Sequence, residues 1–311
     1  MQRLVLIDGN AILHRAYHAL PPLTTRSGEL VNAVYGFTTM LLKVISDLKP
    51  QYLAVAFDTE KPTFRQMEYL GYQAQRPHMD KELSSQIVKV HEILKAFGIP
   101  IYELPGFEAD DVIGTLAKKA ISNMQYVISE VVIVTGDKDM MQLVGPRVKV
   151  YAPVRGMSEA ELFDREKVFQ KMGVEPGQIV DYKGLVGDPS DNYPGIPGVG
   201  PKTAVELLKK HKSLKNIYRH LPELPEVLVR KLTEGRELAD LSYRLARIVL
   251  DAPIKVDLKK CQFKLEKEER ERVAIKLQAL GFKSLVARLR MGENGKEMRK
   301  GRKGSEQLTM V

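Results

Sequence analysis

Asp8, Asp58 and Asp137 each stand at or just past the end of an apolar run: LVLI at 4–7, YLAVAF at 52–57, and VVIV at 131–134 followed by Thr135-Gly136. Asp139 lies two residues beyond Asp137, on the same expected turn. Glu108, Asp110 and Asp111 belong to EADD, which opens an expected helix with Val112, Ile113 and Leu116 on its apolar face. Asp188 and Asp191 are three apart, a spacing at which one helical turn aims both the same way. These nine carboxylates would repel one another if they converged. Divalent cations remove that repulsion, and an all-oxygen ligand set suits Mg²⁺ or Mn²⁺. Two such ions can activate water and stabilise a leaving oxygen in phosphodiester hydrolysis. Any one Asp at a strand end or helix start is also ordinary capping and turn chemistry. Glu108 and Asp111, in a first turn, also suit the helix dipole.

So acidic a site needs cations beside it if it is to accept a phosphodiester. Arg15 lies just past the first strand, and Arg65 and Arg76 fall in the stretch 61–105. Arginine can clamp phosphate through paired hydrogen bonds. Tyr69 and Tyr72 lie between those arginines; they can stack on a splayed base or fill a small satellite core.

Residues 194–203 read PGIPGVGPKT. A Walker A loop is excluded because Pro201 separates Gly200 from Lys202 and no strand precedes it. The segment reads instead as a tight hairpin between helices. Gly195, Gly198 and Gly200 let backbone approach a phosphate, and the helix beginning near Pro201 offers its amides. Lys202, Lys209 and Lys210 add charge for sequence-independent, salt-sensitive duplex contact. The alternatives are a purely structural corner, and a monovalent cation on the turn carbonyls.

The elements that must position these groups follow from the apolar pattern. The continuous runs 3–7, 52–57 and 131–134, with 147–153 as one more, read as strands of a mostly parallel sheet flanked by helices. Helical spacing recurs over Val31–Leu48, and Leu83, Ile87, Val90, Leu94 and Phe97 share one face. The excursion 61–105 is long for a crossover and reads as a functional arm. After about Leu162 the sheet pattern gives way to helices, including Thr203–Lys210, a segment around 236–250, and 266–290. Residues 291–311 read as a disordered basic tail, with no internal repeat in the chain.

The bulk figures limit the function classes. The 311 residues are 44% hydrophobic and 28% charged, as in a folded soluble domain. The formal net charge is +9, which favours a polyanionic partner. One cysteine, Cys261, excludes an intrachain disulfide and a cysteine zinc site. The six histidines form no HExxH motif. No signal peptide or membrane span is expected, so a cytoplasmic location is.

The chain resembles the 5′-nuclease domain of bacterial DNA polymerase I, within the flap endonuclease family. The resemblance is carried in order by LIDGNAILHRAYHAL (6–20), VYGFTTMLLK (34–43), AFDTEKPTFR (56–65), PGFEADDVIGTLAKKA (105–120), VTGDKDMMQLV (134–144), DYKGLVGDPSDNYPGIPGVGPKTAVELL (181–208) and LSYRLARIVLDAPI (241–254). It covers about residues 1–290. It implies a structure-selective 5′-3′ exonuclease and 5′-flap endonuclease that also removes RNA primers from 5′ ends on DNA. Its partners would be branched, flapped or nicked DNA, and the protein a monomer.

By the same resemblance, Asp8, Asp58, Glu108 and Asp110 match a first metal cluster. Asp137, Asp139, Asp188 and Asp191 match a second, with Asp111 bridging the two through water. The implied fold is PIN-like: a catalytic α/β domain over 1–174, with 61–105 as a helical arch. A helical duplex-binding subdomain over 175–290 follows, with a helix–three-turn–helix around 184–210 that holds K⁺. One departure stands out. The family's Tyr-Lys-Ala-x-Arg is Tyr72-Gln73-Ala74-Gln75-Arg76 here, so the group expected near the scissile phosphate lacks charge. Lys81, Arg65 or Arg76 would have to compensate, and a slower chemical step is expected. The sequence reads as a free-standing nuclease or as a part of a longer polymerase. A PIN-like ribonuclease needs neither the arm nor the hairpin, and a non-catalytic DNA binder should have lost some of these carboxylates.

Overall fold

Apolar runs with no polar alternation make strands that are covered on both faces. The computed structural model describes residues 2–75, 80–123, 125–155 and 159–290. Its elements begin with β1 (Arg3–Asp8), α1 (Gly9–Ala19), α2 (Asn32–Leu48), β2 (Tyr52–Ala56), α3 (Phe64–Glu68), α4 (Lys81–Ala96) and β3 (Ile101–Tyr102). They continue with α5 (Ala109–Ser122), β4 (Glu130–Val134), β5 (Val148–Arg155), β6 (Glu159–Phe163), α6 (Arg165–Met172) and α7 (Ile179–Val186). The remainder is helical: α8 (Pro201–His211), α9 (Leu214–Arg219), α10 (Glu226–Glu234), α11 (Arg236–Ala246) and α12 (Lys267–Ala279).

The sheet order is β3-β2-β1-β4-β5-β6, parallel throughout except for the antiparallel β5–β6 pair. Chain order runs outward from β1 through β2 to β3, then resumes at β4 on the other side of β1. That reversal opens a crevice at the carboxyl ends of β1 and β4. Alternate strand residues feed two cores. Leu4, Leu6, Val131 and Ile133 belong to the core that includes α5 and helices α7–α11, whereas Val5, Ile7, Val132 and Val134 belong to the core that includes α1, α2, α4 and α12. The helical part thus shares a core with one face of the sheet.

Two expectations about organisation need correction. The excursion 61–105 is not one arm. Leu83, Val90, Ile93 and Leu94 of α4 are buried with α2, because four apolar side chains on one helical face are stabilised by docking. Gln86 fixes that docking: its Oε1 accepts from the amides of Ala33 and Val34 at 2.9 and 3.2 Å, supplying acceptors that the start of α2 otherwise lacks. Ile101–Tyr102 then joins the sheet beside β2.

The second correction concerns 175–290, whose last third returns to the α/β layer. Leu53 donates its amide to the Cys261 carbonyl at 2.8 Å, and Phe263 donates to that of Gln51 at 2.9 Å. Val273, Ala274, Leu277, Phe282, Leu285 and Leu289 join the core of α2 and α4. The helix expected over 266–290 is interrupted at Gly281, whose φ of +78° lies outside helical backbone, and helical structure resumes over 283–290. The tail 291–311 lies outside the described residues. Among the described residues no helix is long and apolar enough to cross a membrane.

Candidate active site

β1 delivers Asp8 to the crevice as the N-cap of α1. Its Oδ1 accepts from the Ala11 amide at 2.9 Å, and its Oδ2 accepts from the Thr135 hydroxyl at 2.7 Å. The same hydroxyl accepts the Asp137 amide at 3.0 Å, and Asp137 Oδ1 accepts the Asp139 amide at 2.8 Å. Thr135 therefore ties the end of β1 to the acidic turn after β4. Asp58 follows β2. Its amide donates to Asn10 Oδ1 at 2.9 Å, and its Oδ1 accepts from the Ala109 amide at 2.7 Å, which draws the start of α5 to the same crevice. Asp110, in the first turn of α5, faces Asp137, Asp8, Glu108 and Asp58.

This crowding has an electrostatic signature. Burial, followed by the charges of Asp58 and Asp137, pushes the Asp8 carboxyl up to about 7. Burial and neighbouring carboxylates push Glu108 up to about 7 despite Arg65, and carry Asp110 well above the usual carboxylate range. The Glu108 Oε1 is buried and accepts no hydrogen bond. Carboxylates crowded in this way, with a buried oxygen to spare, suit a divalent cation.

The second group forms where the helical part meets the sheet. Oxygens of Asp139, Asp188 and Asp191 lie within 4.8 Å of one another, a grouping that could hold a divalent metal ion. Asp188 and Asp191 converge through a tight turn and not through the helical turn that their spacing suggested. Asp188 and Tyr193 exchange amide hydrogen bonds at 2.9 and 3.1 Å, and Asn192 adopts φ +57°. Such a turn lets residues three apart face one point without helical backbone.

Lys183, to which the sequence reading gave no role, projects from α7 into this group. Its side chain is 9% exposed, and its ammonium pairs with both Asp139 and Asp188. Burial outweighs that pairing at Asp139, whose carboxyl rises to about 7. At Asp188 burial is outweighed by Lys183 and Ser190, which hold it below the usual range. The signal available in the sequence was a lone basic residue between apolar positions, five residues before Asp188.

Several expected site residues do other work. Asp111 is fully buried, and both of its oxygens are occupied. Arg65 donates to them at 2.7 and 2.8 Å, the Val249 amide at 2.8 Å, and the Glu108 amide at 3.1 Å. Its bridging role between clusters is therefore corrected: its oxygens are spent on holding α5 to the segment after α11.

Arg65 is corrected with it. Its side chain is 2% exposed and also donates to Glu108 and to the Leu245 and Arg247 carbonyls, so it has no face left for a phosphate. Tyr72 is buried against Tyr193, Leu245 and Ala246 and does not present its ring to a base. Its hydroxyl lies 3.3 Å from Glu108 Oε2 and 3.4 Å from Asp191 Oδ2, spanning the two groups.

Gln73 adopts φ +56°. Its amide donates to the Asp191 carbonyl at 2.9 Å, and its Nε2 to Asp191 Oδ1 at 3.2 Å. Arg15 is half-buried on α1. Arg76 lies outside the described residues.

The glycine hairpin precedes α8, with Pro201 in its first turn. Gly195 is buried; an added Cβ would fall 2.2 Å from the Gly187 amide nitrogen. The backbone there meets backbone, so Gly195 is corrected from a phosphate contact to a structural glycine. Gly198, Gly200 and Lys202 remain exposed. Lys231 donates its ammonium to the Gly198 carbonyl at 3.1 Å.

Two family models match consecutive stretches of the chain, which together run from residue 3 to residue 269. One, described as the 5′-3′ exonuclease N-terminal resolvase-like domain, covers residues 3–173. The other, the 5′-3′ exonuclease C-terminal SAM fold, covers 174–269. A 5′-3′ exonuclease of Aquifex aeolicus is 42% identical over 286 residues, 92% of this chain and 94% of that protein. The DNA polymerase I of Bacillus caldotenax is 42% identical over 289 residues, 93% of this chain but 32% of that protein. The chain thus spans about a third of its polymerase relatives. In fold it resembles the bacteriophage T5 flap endonuclease in its complex with DNA and metal ions, with a TM-score of 0.63 at 17% identity over 93% of this chain and 97% of that one.

Proposed function

The chain belongs to the 5′-3′ exonuclease family, and from that footing we propose that it is a structure-selective, divalent-metal-dependent nuclease of branched DNA. It cuts flapped or nicked DNA near the junction of single strand and duplex. It acts as 5′-3′ exonuclease and 5′-flap endonuclease, and it removes RNA primer 5′ ends on DNA, in replication and repair. It works as a monomer in the cytoplasm, the compartment of bacterial chromosomal DNA. The observation that carries this reading is the convergence of Asp139, Asp188 and Asp191 beside the crevice of Asp8, Asp58, Glu108 and Asp110.

The donor set fits hard divalent ions, and the unpartnered Glu108 Oε1 together with the crowded Asp110 supports the fit. Asp8, Asp58, Glu108 and Asp110 hold one Mg²⁺ or Mn²⁺; Asp137, Asp139, Asp188 and Asp191 hold a second. When bound, such ions supply an activated water and charge stabilisation at the leaving oxygen.

The chain's own groups do the rest. Lys183 neutralises part of the second group, so that a phosphodiester can approach. Tyr72 and Gln73 keep the segment after α3 over both groups through Glu108 and Asp191. Gln73 leaves the scissile phosphate without a full positive charge from this position, which slows the chemical step. Gly198, Gly200 and the first turn of α8 meet the duplex backbone, with Lys202 exposed beside them.

A labelled 5′-flap oligonucleotide tests the reading. Cutting near the junction with Mg²⁺, abolished by EDTA and by Asp137→Ala, is the expected result. Cutting confined to single-stranded RNA, or tight flap binding without cutting in any divalent metal, would overturn it.

A further inference from the structure

Tyr193 belongs to the turn that brings Asp188 and Asp191 together, and it is 3% exposed. Its ring lies 6.3 Å from that of Tyr72 and within 12° of parallel, in the small core with Leu245 and Ala246, which fixes its direction. Its hydroxyl is buried and has no hydrogen-bond partner among the described residues. Burial keeps that hydroxyl un-ionised despite Lys183, and Asp139, Asp188 and Asp191 add to the effect. The hydroxyl thus stands in the field of Lys183 and of all three aspartates. A buried polar group without a partner is costly and rare in a folded protein.

Lys183 shows the complementary deficit. An ammonium has three N–H donors, and among the described residues this one meets only Asp139 and Asp188. Both are carboxylates that would hold the second divalent ion. An ion there carries two charges against the ammonium's one, and at such closeness they repel. A buried ammonium can draw back from its carboxylates only if another acceptor is at hand, because a charge left unpaired inside a protein is strongly destabilising. The Tyr193 hydroxyl has lone pairs to spare for it.

We propose that Tyr193 is a positioning residue for Lys183: its hydroxyl takes the ammonium when a divalent cation takes Asp139 and Asp188. The proposal rests on reading those carboxylates as the second metal site. The lysine then stays beside the loaded site as a positive charge for the approaching phosphodiester, and it does not compete for the ligands. Tyr193 comes into play only on loading, so its hydroxyl adds nothing to the metal-free protein.

Manganese binding in the absence of DNA tests this. Free Mn²⁺ is followed by electron paramagnetic resonance, and the second ion is the one lost in Asp188→Asn. Tyr193→Phe, which removes only the hydroxyl, should bind that ion about tenfold more weakly. In a Lys183→Met background the same change should have no effect, because the ammonium it serves is gone. In EDTA the urea midpoint of Tyr193→Phe should equal or exceed that of the wild type, since a hydroxyl without a partner is removed. Unchanged affinity for the second ion in Tyr193→Phe would overturn the proposal. So would an equal loss in both backgrounds, which would make the hydroxyl act on the ion itself. A lowered urea midpoint in EDTA would overturn it too, by showing the hydroxyl already bonded without metal. If Asp188→Asn loses no Mn²⁺ relative to the wild type, the second-site reading itself falls, a failure distinct from the other three.

Discussion

Asp110 and Asp111 stand side by side in the first turn of α5, yet their carboxylates meet opposite surroundings. Asp110 faces four other carboxylates, whereas Asp111 is held in the fork of Arg65. Their variants should separate accordingly. Asp110→Asn removes like-charge repulsion, so the metal-free protein should be as stable as the wild type or more so, while affinity for Mn²⁺ falls at least about tenfold. Asp111→Asn leaves a buried guanidinium half-paired and should cost about 3–5 kcal/mol, with Arg65→Gln costing about the same. Urea unfolding and Mn²⁺ titration together check the pair. Normal stability in Arg65→Gln with weakened DNA binding would return Arg65 to the role of a phosphate clamp. At this scale Gln73 also changes meaning: its contacts are with Asp191, so it positions a carboxylate besides lacking the charge of a lysine.

Elements explain why the glycines of the hairpin are not equivalent. Gly195 lies where α7 ends: Gly187 and Gly195 both take positive φ, and their backbones touch. A methyl at Gly195 has nowhere to go, and the Gly195 amide would lose its 3.0 Å bond to the Ser242 hydroxyl. Gly200, by contrast, has an ordinary extended backbone and open space where its Cβ would stand. Gly195→Ala should therefore cost at least about 2 kcal/mol, and Gly200→Ala less than about 0.5 kcal/mol, in chemical denaturation. If Gly200→Ala nonetheless weakens duplex binding at unchanged stability, close approach of DNA backbone at that residue is the reason.

At the scale of the whole molecule, the helical part supplies Asp188, Asp191 and Lys183 to a crevice made by the sheet, so cation binding and the packing of the two parts are coupled. The coupling has a pH signature. In the metal-free protein burial, helped by neighbouring carboxylates, pushes Asp8, Glu108 and Asp139 up to about 7, well above the usual carboxylate range. The folded state then holds more protons than the unfolded one, so unfolding releases protons and stability falls as pH rises from about 4 past about 7. Asp188, held low by Lys183, works the other way, and only in the acid range. Denaturation in EDTA should show a less stable protein at about pH 8 than at about pH 6, with Mg²⁺ restoring more stability at the higher pH. Equal stability at both pH values without metal would show that these carboxylates are not crowded in solution.

Much of this was legible in the sequence, because strands buried on both faces must be apolar throughout and carboxylates at their ends have one place to point. Asp8, Asp58 and Asp137 followed from that rule, and Pro201 marked the start of α8. Spacing along the chain could not say which carboxylates face solvent-filled space and which are neutralised inside. That needed Arg65, 46 residues from Asp111 in sequence and in contact with it only through the fold. Nor could it show the span of Tyr72 between Glu108 and Asp191, the entry of Lys183 between two aspartates, or the return of 257–290 to α2 and α4. Local pattern determined which residues are strand, helix and candidate ligand. The pairing of charges over long separations was decided only by tertiary structure, because the cost of burying a charge depends on what the rest of the chain brings beside it.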